Sequence, residues 1–167
     1  MGWLTKGSTG NNPHTPDAVD PIIASALSHL HSKGYTRIAS VGYCFGAKYS
    51  ARFMSTSPPV ALSGVAAGEA PIAVSYVAHP SFVSEEELGA IKGPWAISAA
   101  ETDSIFPAEM RWKSKEILEK TGVRYQINLF SGVEHGFATR ADLDNKWQRW
   151  SKEQAFIQAV DWIKLHL

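Results

Sequence analysis

The sequence contains only one cysteine, Cys44. A single cysteine allows no internal disulfide and no metal site built from several thiolates. Chains without disulfides are typical of reducing compartments, so we expect a cytoplasmic location. Four histidines do not follow a predicted strand, and none of them has an acidic or thiol residue at the sequence spacing typical of metal ligands. No metal site is therefore predicted. Those histidines are His14, His29, His31 and His166.

The chain also lacks an excess of charge and long apolar runs. Lys and Arg number 16, Asp and Glu number 16, and the formal net charge is zero. Bulk electrostatic attraction to nucleic acid or to a membrane surface is therefore not expected. No apolar run is long enough to span a bilayer. The segment from Met1 to Gly7 lacks the charged and apolar regions of a signal peptide.

What remains is typical of a globular α/β protein. The 167 residues are 44 % hydrophobic, which suits one domain over residues 1–167. Apolar spacing predicts a loop over 1–15, then helices that alternate with strands. Alternation of this kind indicates a parallel sheet with helices on both faces, a three-layer α/β fold. We predict helices at 16–33, from Gly46 to before Ser57, and at 84–91, 107–120 and 141–166, and strands at 37–43, 72–78, 95–99 and 124–130.

Cys44 lies in the stretch Gly-Tyr-Cys-Phe-Gly, directly after the first predicted strand. A nucleophile flanked in this way is typical of a sharp strand-to-helix turn. We expect Gly42 and Gly46 to be required because a side chain there would clash with the neighbouring strand and helix. Alone, the pattern is weak, since an isolated cysteine is more often a small buried apolar residue.

Two further residues follow strand ends in the order that a triad requires. Asp103 follows the third predicted strand and His135 follows the fourth. In open parallel sheets, the carboxyl ends of the strands meet at one edge. The interpretation is that Cys44 attacks, His135 moves the proton and Asp103 orients the histidine. Taken singly, the aspartate is typical of a turn and the histidine of a loop, so the conjunction carries the prediction.

Four stretches together resemble the dienelactone hydrolases, particularly the fungal-type members: GYCFGAKY, VAHPSF, ETDSIFPAE and LFSGVEHGFA. The resemblance extends from about Trp3 to the C-terminus. It implies an α/β-hydrolase fold that cleaves small lactones or esters with a Cys44–His135–Asp103 triad and without a cofactor. It also implies that the Phe45 N–H is an oxyanion donor and that Arg140 faces a substrate carboxylate.

The chain departs from this family at its beginning. Family members have further strands before the helix at 16–33. The loop that gives the second oxyanion N–H is among the missing parts, as are an acidic residue near the resting thiol and an upstream arginine. The strand at 37–43 is therefore expected to be an apolar sheet edge. A second copy in a homodimer, a rearranged N-terminal segment or the rest of a longer protein would cover it.

Several functions stay open on this sequence. Tyr43, His79 and Phe137 are further candidates for substrate binding, with turn or core packing as the alternative for Tyr43 and His79. The favoured hypothesis is a hydrolase of a small-molecule ester or lactone. A shortened, non-catalytic or weakly active fold that binds a small molecule or a partner chain is the second. A biosynthetic enzyme that forms or isomerises lactones on the same scaffold is the third.

Overall fold

The computed structural model describes residues 2–167; Met1 lies outside the described residues. Its sheet has four parallel strands in the order β1-β2-β3-β4, the same order as in the sequence. The predicted α/β class is therefore confirmed. The strands are β1 (Ala39–Tyr43), β2 (Val74–Ala78), β3 (Trp95–Thr102) and β4 (Tyr125–Glu134).

Helices cover both faces of this sheet, which gives three layers. On one face, Val77 and Ile97 pack with apolar residues of the second to fifth helices. On the other face, Tyr76 and Ala96 pack against Trp162 of the last helix. Neighbouring strand residues face opposite sides because side chains alternate along a strand. The helices are α1 (Gly2–Lys6), α2 (Pro16–Ser32), α3 (Gly46–Phe53), α4 (Glu85–Gly89), α5 (Ala108–Thr121), α6 (Phe137–Arg140) and α7 (Lys146–His166).

The predicted loop over residues 1–15 is wrong in part, since α1 is helical. Gly7 ends this helix: its N–H donates to the Trp3 carbonyl at 2.8 Å, and its φ of +65° suits glycine. The Trp3 ring packs against His14 and Phe45 at centroid distances of 4.1 and 5.2 Å. These contacts come from residues distant in sequence, which local spacing does not encode.

The predicted helix over 141–166 is also wrong at its beginning. Residues 141–145 are not helical, and they separate α6 from α7. Asn145 caps α7, because its side chain accepts from the N–H groups of Trp147 and Gln148. An asparagine N-cap of this kind fixes where the helix starts, whatever the apolar spacing before it.

Strand lengths differ modestly from the prediction. β1 begins at Ala39 rather than at residue 37, and β4 continues four residues beyond 130, to Glu134. The register between β3 and β4 shifts between Ala100 and Thr102. The extension matters because it carries the chain to His135 at the carboxyl edge of the sheet.

β1 is an edge strand of the described sheet, as expected. Only β2 pairs with it, and Val41 is 46 % exposed. An apolar side chain this exposed on an edge strand is a feature that proteins usually cover or charge. In residues 2–167, no helix combines the length and apolar character that crossing a bilayer requires.

Candidate active site

Cys44 stands on a strained turn between β1 and α3. Its φ of +52° lies in the left-handed region, which costs a non-glycine residue roughly 1–2 kcal/mol. The turn is held by β2: the Cys44 N–H donates to the Ala78 carbonyl at 3.1 Å, and the Ser81 N–H donates to the Cys44 carbonyl at 3.0 Å. Strain that persists because neighbours hold it is typical of functional sites.

The two glycines that flank Cys44 differ in the space that a side chain would have. A Cβ on Gly42 would lie 2.9 Å from the Ala47 backbone nitrogen and 2.8 Å from the Ser50 hydroxyl. The predicted clash is therefore present at Gly42. The same expectation is wrong for Gly46, because a Cβ there would meet nothing within 4 Å. Gly46 starts α3 on the open side of the turn, whereas Gly42 lies beneath the helix.

The structure brings Cys44, His135 and Asp103 into one hydrogen-bonded chain. His135 Nε2 lies 3.2 Å from Cys44 Sγ, and His135 Nδ1 lies 2.8 Å from Asp103 Oδ2. The other oxygen of Asp103 accepts from the N–H groups of Ile105 and Phe106 at 2.8 and 2.9 Å. The His135 N–H donates to the Thr102 carbonyl at 3.2 Å, which ties the histidine loop to β3.

These contacts favour an ion pair between the thiol and the imidazole. The hydrogen bond with His135 is the main cause that lowers the pKa of the Cys44 thiol to about 5. The hydrogen bond with Asp103, then that with Cys44, raises the pKa of His135 to about 9. Burial alone would raise the pKa of Asp103, but hydrogen bonds from His135, Phe106 and Ile105 hold it below its usual range.

The Phe45 N–H is available to a substrate oxygen. Phe45 caps α3 with a φ of −64°, and within residues 2–167 its N–H has no hydrogen-bond acceptor. Its ring packs beneath the N-terminal segment, against Trp3, His14 and Tyr49. The Tyr49 hydroxyl donates to the His14 carbonyl at 2.7 Å, which holds that segment beside the turn.

The residues predicted to bind substrate lie in different parts of the structure. Arg140 is exposed, its guanidinium lies over Gly136 next to His135, and no carboxylate of the described chain pairs with it. Phe137 is buried, and it packs against Phe130 at 5.2 Å. Tyr43 borders an open cleft of about 620 Å³ that Phe156 and Leu143 of the α7 side also line.

His79 is buried directly beside the hydrogen-bonded chain formed by Cys44, His135 and Asp103. It is 1 % exposed, and its ring centroid lies 5.0 Å from that of His135. Ser81 was not singled out from the sequence, yet its hydroxyl lies 3.3 Å from Cys44 Sγ. Its place after β2, two residues beyond His79, is the pattern that could have indicated it.

A second cleft, of about 630 Å³, lies between α4 and α5. Apolar side chains such as Leu88, Phe106 and Met110 line it, and neither Cys44 nor His135 does. This cleft therefore lies apart from the thiol–imidazole pair. No cluster of three metal-ligating side chains occurs among residues 2–167.

Comparison with known proteins identifies relatives of this chain. The model of the "Dienelactone hydrolase family" matches residues 8–167. Hydrolase tropI from Talaromyces stipitatus is 44 % identical over 155 residues, which are 92 % of this chain and 56 % of that protein. Hydrolase pyvD from Aspergillus violaceofuscus is 42 % identical over 168 residues, covering 100 % of this chain and 60 % of that protein.

Solved structures show the same fold at low identity. Thermogutta terrifontis esterase 2, phosphorylated by paraoxon, matches with a TM-score of 0.70 and 18 % identity, over 93 % of this chain and 68 % of that one. This likeness shows an α/β-hydrolase fold. The chain spans 56 % and 60 % of the length of the two fungal relatives, so the activity of a whole protein is a matter for proposal.

Proposed function

Because the chain belongs to the dienelactone hydrolase family, we propose that it is a cysteine-dependent hydrolase of small lactones or esters. The observation that carries the proposal is the continuous chain from Cys44 Sγ to His135 Nε2 at 3.2 Å and from His135 Nδ1 to Asp103 Oδ2 at 2.8 Å. Such an arrangement provides an activated nucleophile, a proton carrier and a group that orients it.

The proposed reaction starts from the thiolate and the imidazolium. The Cys44 sulfur attacks the carbonyl carbon, and the Phe45 N–H donates to the oxygen that becomes negative. The carbon–oxygen bond to the leaving group breaks as the His135 imidazolium gives its proton to the departing oxygen. A thioester on Cys44 results, and His135 is then neutral.

Water completes the cycle. Neutral His135 takes a proton from water, and the hydroxide formed attacks the thioester carbonyl. The carbon–sulfur bond breaks, the acid leaves, and the thiolate and imidazolium are restored. Asp103 keeps Nδ1 protonated throughout, so that Nε2 is the nitrogen that exchanges the proton with the sulfur and the substrate.

The substrate class is proposed from the side chains beside the thiol. Arg140, exposed near His135 and without a carboxylate partner in the described chain, would bind an acidic group on the substrate. The site needs a reduced cysteine, so a cytoplasmic setting is part of the proposal. A second copy of the chain, paired at the β1 edge, is the proposed partner.

Mass spectrometry during turnover of an activated ester tests the function. We expect an acyl adduct on Cys44 that forms and disappears, and faster turnover of a carboxylate-bearing ester than of a neutral one with the same leaving group. Cys44→Ala should lower kcat/KM by about 10⁴ or more, because no other group can form the thioester. Cys44→Ser serves as the control that keeps a side-chain nucleophile of similar size.

Two results would contradict the proposal. Turnover retained in Cys44→Ala would remove the thiol from the mechanism. An absence of any adduct, with Cys44 still reduced, would favour the non-catalytic binding fold. An adduct that stalls would show a competent nucleophile without efficient deacylation, as expected if only the Phe45 N–H holds the oxyanion.

A further inference from the structure

His79 is a buried histidine whose ring nitrogens lack partners. Only 1 % of the residue is exposed, and neither Nδ1 nor Nε2 has a hydrogen-bond partner among residues 2–167. Both nitrogens of a buried imidazole normally form hydrogen bonds, because a buried polar group without a partner loses its hydrogen bonds to water and raises the free energy of the folded state.

The backbone at His79 is strained as well. Its φ of +37° is outside the range that non-glycine residues normally adopt. The strain is maintained by the sheet, since the His79 N–H donates to the Ser98 carbonyl at 2.8 Å. Cys44 and Phe82 also have positive φ, so three strained residues lie together at the carboxyl ends of β1 and β2.

The strained backbone places the His79 ring beside His135, the residue that contacts the Cys44 sulfur. The ring is edge-to-face with His135 at 5.0 Å, and it packs between Tyr43 and Phe137 at 6.1 and 6.0 Å. Next to the main effect of His135, the nearby His79 ring also lowers the pKa of the Cys44 thiol. The unpaired imidazole of His79 therefore packs against the imidazole that lies 3.2 Å from the sulfur.

We propose that His79 is a positioning residue that holds the ionised Cys44, by donating a ring N–H to the sulfur beside the one from His135. A neutral imidazole has one N–H donor, and the thiolate is the anionic acceptor within the pocket. With two donors on the sulfur, the thiolate stays in place when His135 turns its proton towards the leaving group. The catalytic use of this contact rests on the proposed function, whereas the test below measures the thiol itself and does not depend on that function.

Other polar groups lie near the sulfur, and His79 would act beside them. Ser81 can give its hydroxyl proton to Cys44 at 3.3 Å, whereas Lys48 is held away by the Phe82 carbonyl and Glu87 at 3.1 and 2.7 Å. The titratable or charged groups facing the site from its neighbouring elements are His135 after β4, Arg140 of α6, Asp103 after β3, His79 after β2, Tyr43 of β1 and Lys48 of α3.

The test is the pH dependence of iodoacetamide alkylation, measured without substrate. Cys44 is the chain's only cysteine, so the rate reports one thiolate. His79→Phe keeps a ring of similar size but has no donor. In this variant the pH at which alkylation is half-maximal, the alkylation midpoint, should rise by about one unit, which corresponds to about tenfold less thiolate at acidic pH. Phe130→Leu changes the packing behind Phe137, which lies against the same ring, without removing a donor, and it should leave the midpoint unchanged.

A rise smaller than about half a pH unit in His79→Phe overturns the proposal. An equal rise in Phe130→Leu also overturns it, because packing would then be the cause. Should His79→Phe fail to fold, nuclear magnetic resonance of the parent protein decides. We expect a slowly exchanging His79 ring N–H proton that is present with the thiolate and lost after alkylation; its absence at every pH would overturn the proposal.

These measurements separate this inference from the proposed hydrolase function. Alkylation reads the thiol even if no ester is hydrolysed, so a normal rise of the midpoint with no turnover would support the role of His79 alone. Normal turnover through Cys44 with an unchanged midpoint in His79→Phe would leave the hydrolase function intact and remove His79 from it.

Discussion

The ionisation of Cys44 depends on residues from three different loops. The thiol has a pKa of about 5 and His135 one of about 9, so both carry charge over the range between them. Because the two groups share a proton, these values belong to the pair. A nucleophile that is ionised before substrate arrives does not need a base to remove its proton during the attack.

This pairing predicts a broad pH plateau for ester hydrolysis. Below about pH 5 the sulfur gains a proton and loses its nucleophilicity, and above about pH 9 His135 loses the proton that the leaving group needs. We expect kcat/KM to be flat between these limits and to fall tenfold per unit outside them. The measurement is a kcat/KM profile with an ester whose own hydrolysis is slow across the range.

Asp103→Asn provides the control for the alkaline limb. The carboxylate is the main cause of the raised pKa of His135, so its loss should move the alkaline limb to lower pH. An alkaline limb that stays near pH 9 in this variant would show that another group sets it. An alkaline fall in the parent near pH 6.5 would contradict the ion pair itself.

The sequence predicted which three residues meet, because each directly follows a strand of one parallel sheet. Their catalytic roles stay a prediction that the hydrolysis experiments test. The buried position of His79 could not be predicted, since it depends on how β2 lies beside the Cys44 turn. Ser81 was missed, although its place just after β2 could have indicated it. The glycine argument was right for Gly42 and wrong for Gly46, because only the packed helix determines which side is crowded.

At the scale of elements, β1 and α3 approach each other closely at the Cys44 turn. Gly42 lies against the first turn of α3, where the Ala47 nitrogen and the Gly46 carbonyl carbon are each 2.9 Å from a Cβ position. Backbone atoms cannot rotate away as a side chain can. The turn that presents Cys44 therefore depends on the absence of a side chain at this point.

A matched pair of substitutions measures that dependence. Gly42→Ala should lower the free energy of unfolding by about 1–3 kcal/mol, because α3 must move away from β1. Gly46→Ala, with open space around the new methyl group, should change it by less than about 1 kcal/mol. Urea denaturation of both variants gives the comparison, and equal effects at the two sites would contradict the crowding seen only at Gly42.

Elements with strong local patterns were predicted well, and those fixed by distant contacts were not. α2 and α5 have proline near their first residue and begin within one residue of the prediction. α1 depends on Trp3 packing against His14 and Phe45, which no local pattern encodes. The break between α6 and α7 is fixed by the capping side chain of Asn145. Residues 141–145 are rich in Asp and Asn, which favour caps over helix interiors, a signal that apolar spacing alone overlooks.

At the scale of the whole molecule, β1 leaves one side of the sheet unpaired. Strand β2 pairs with one side of β1 along its full length. Val41, in the middle of β1, is 46 % exposed. Unpaired strand edges are templates for another strand, and proteins usually cover or charge them. In a dimer joined at this edge, a second copy would also approach the side of the site where Tyr43 lies.

The edge predicts a concentration-dependent dimer that a charge can prevent. Val41→Lys places a charge on the strand and should shift the molecular mass measured by light scattering to that of a monomer. Ile22→Lys makes the same change at an exposed position of α2, where Ile22 is 68 % exposed, and should leave the mass unchanged. A monomeric parent, or a dimer that survives Val41→Lys, would contradict pairing at this edge.

The strand order has a consequence for how the protein is made. Each strand pairs with the one synthesised just before it, so the sheet can grow as the chain leaves the ribosome. Cys44 and His135 are 91 residues apart, which corresponds to roughly 5–20 s of translation. Throughout that interval the thiol lacks the imidazole that ionises it, and it is correspondingly slow to oxidise. The nascent chain therefore acquires its reactive sulfur only when the last strand has been made.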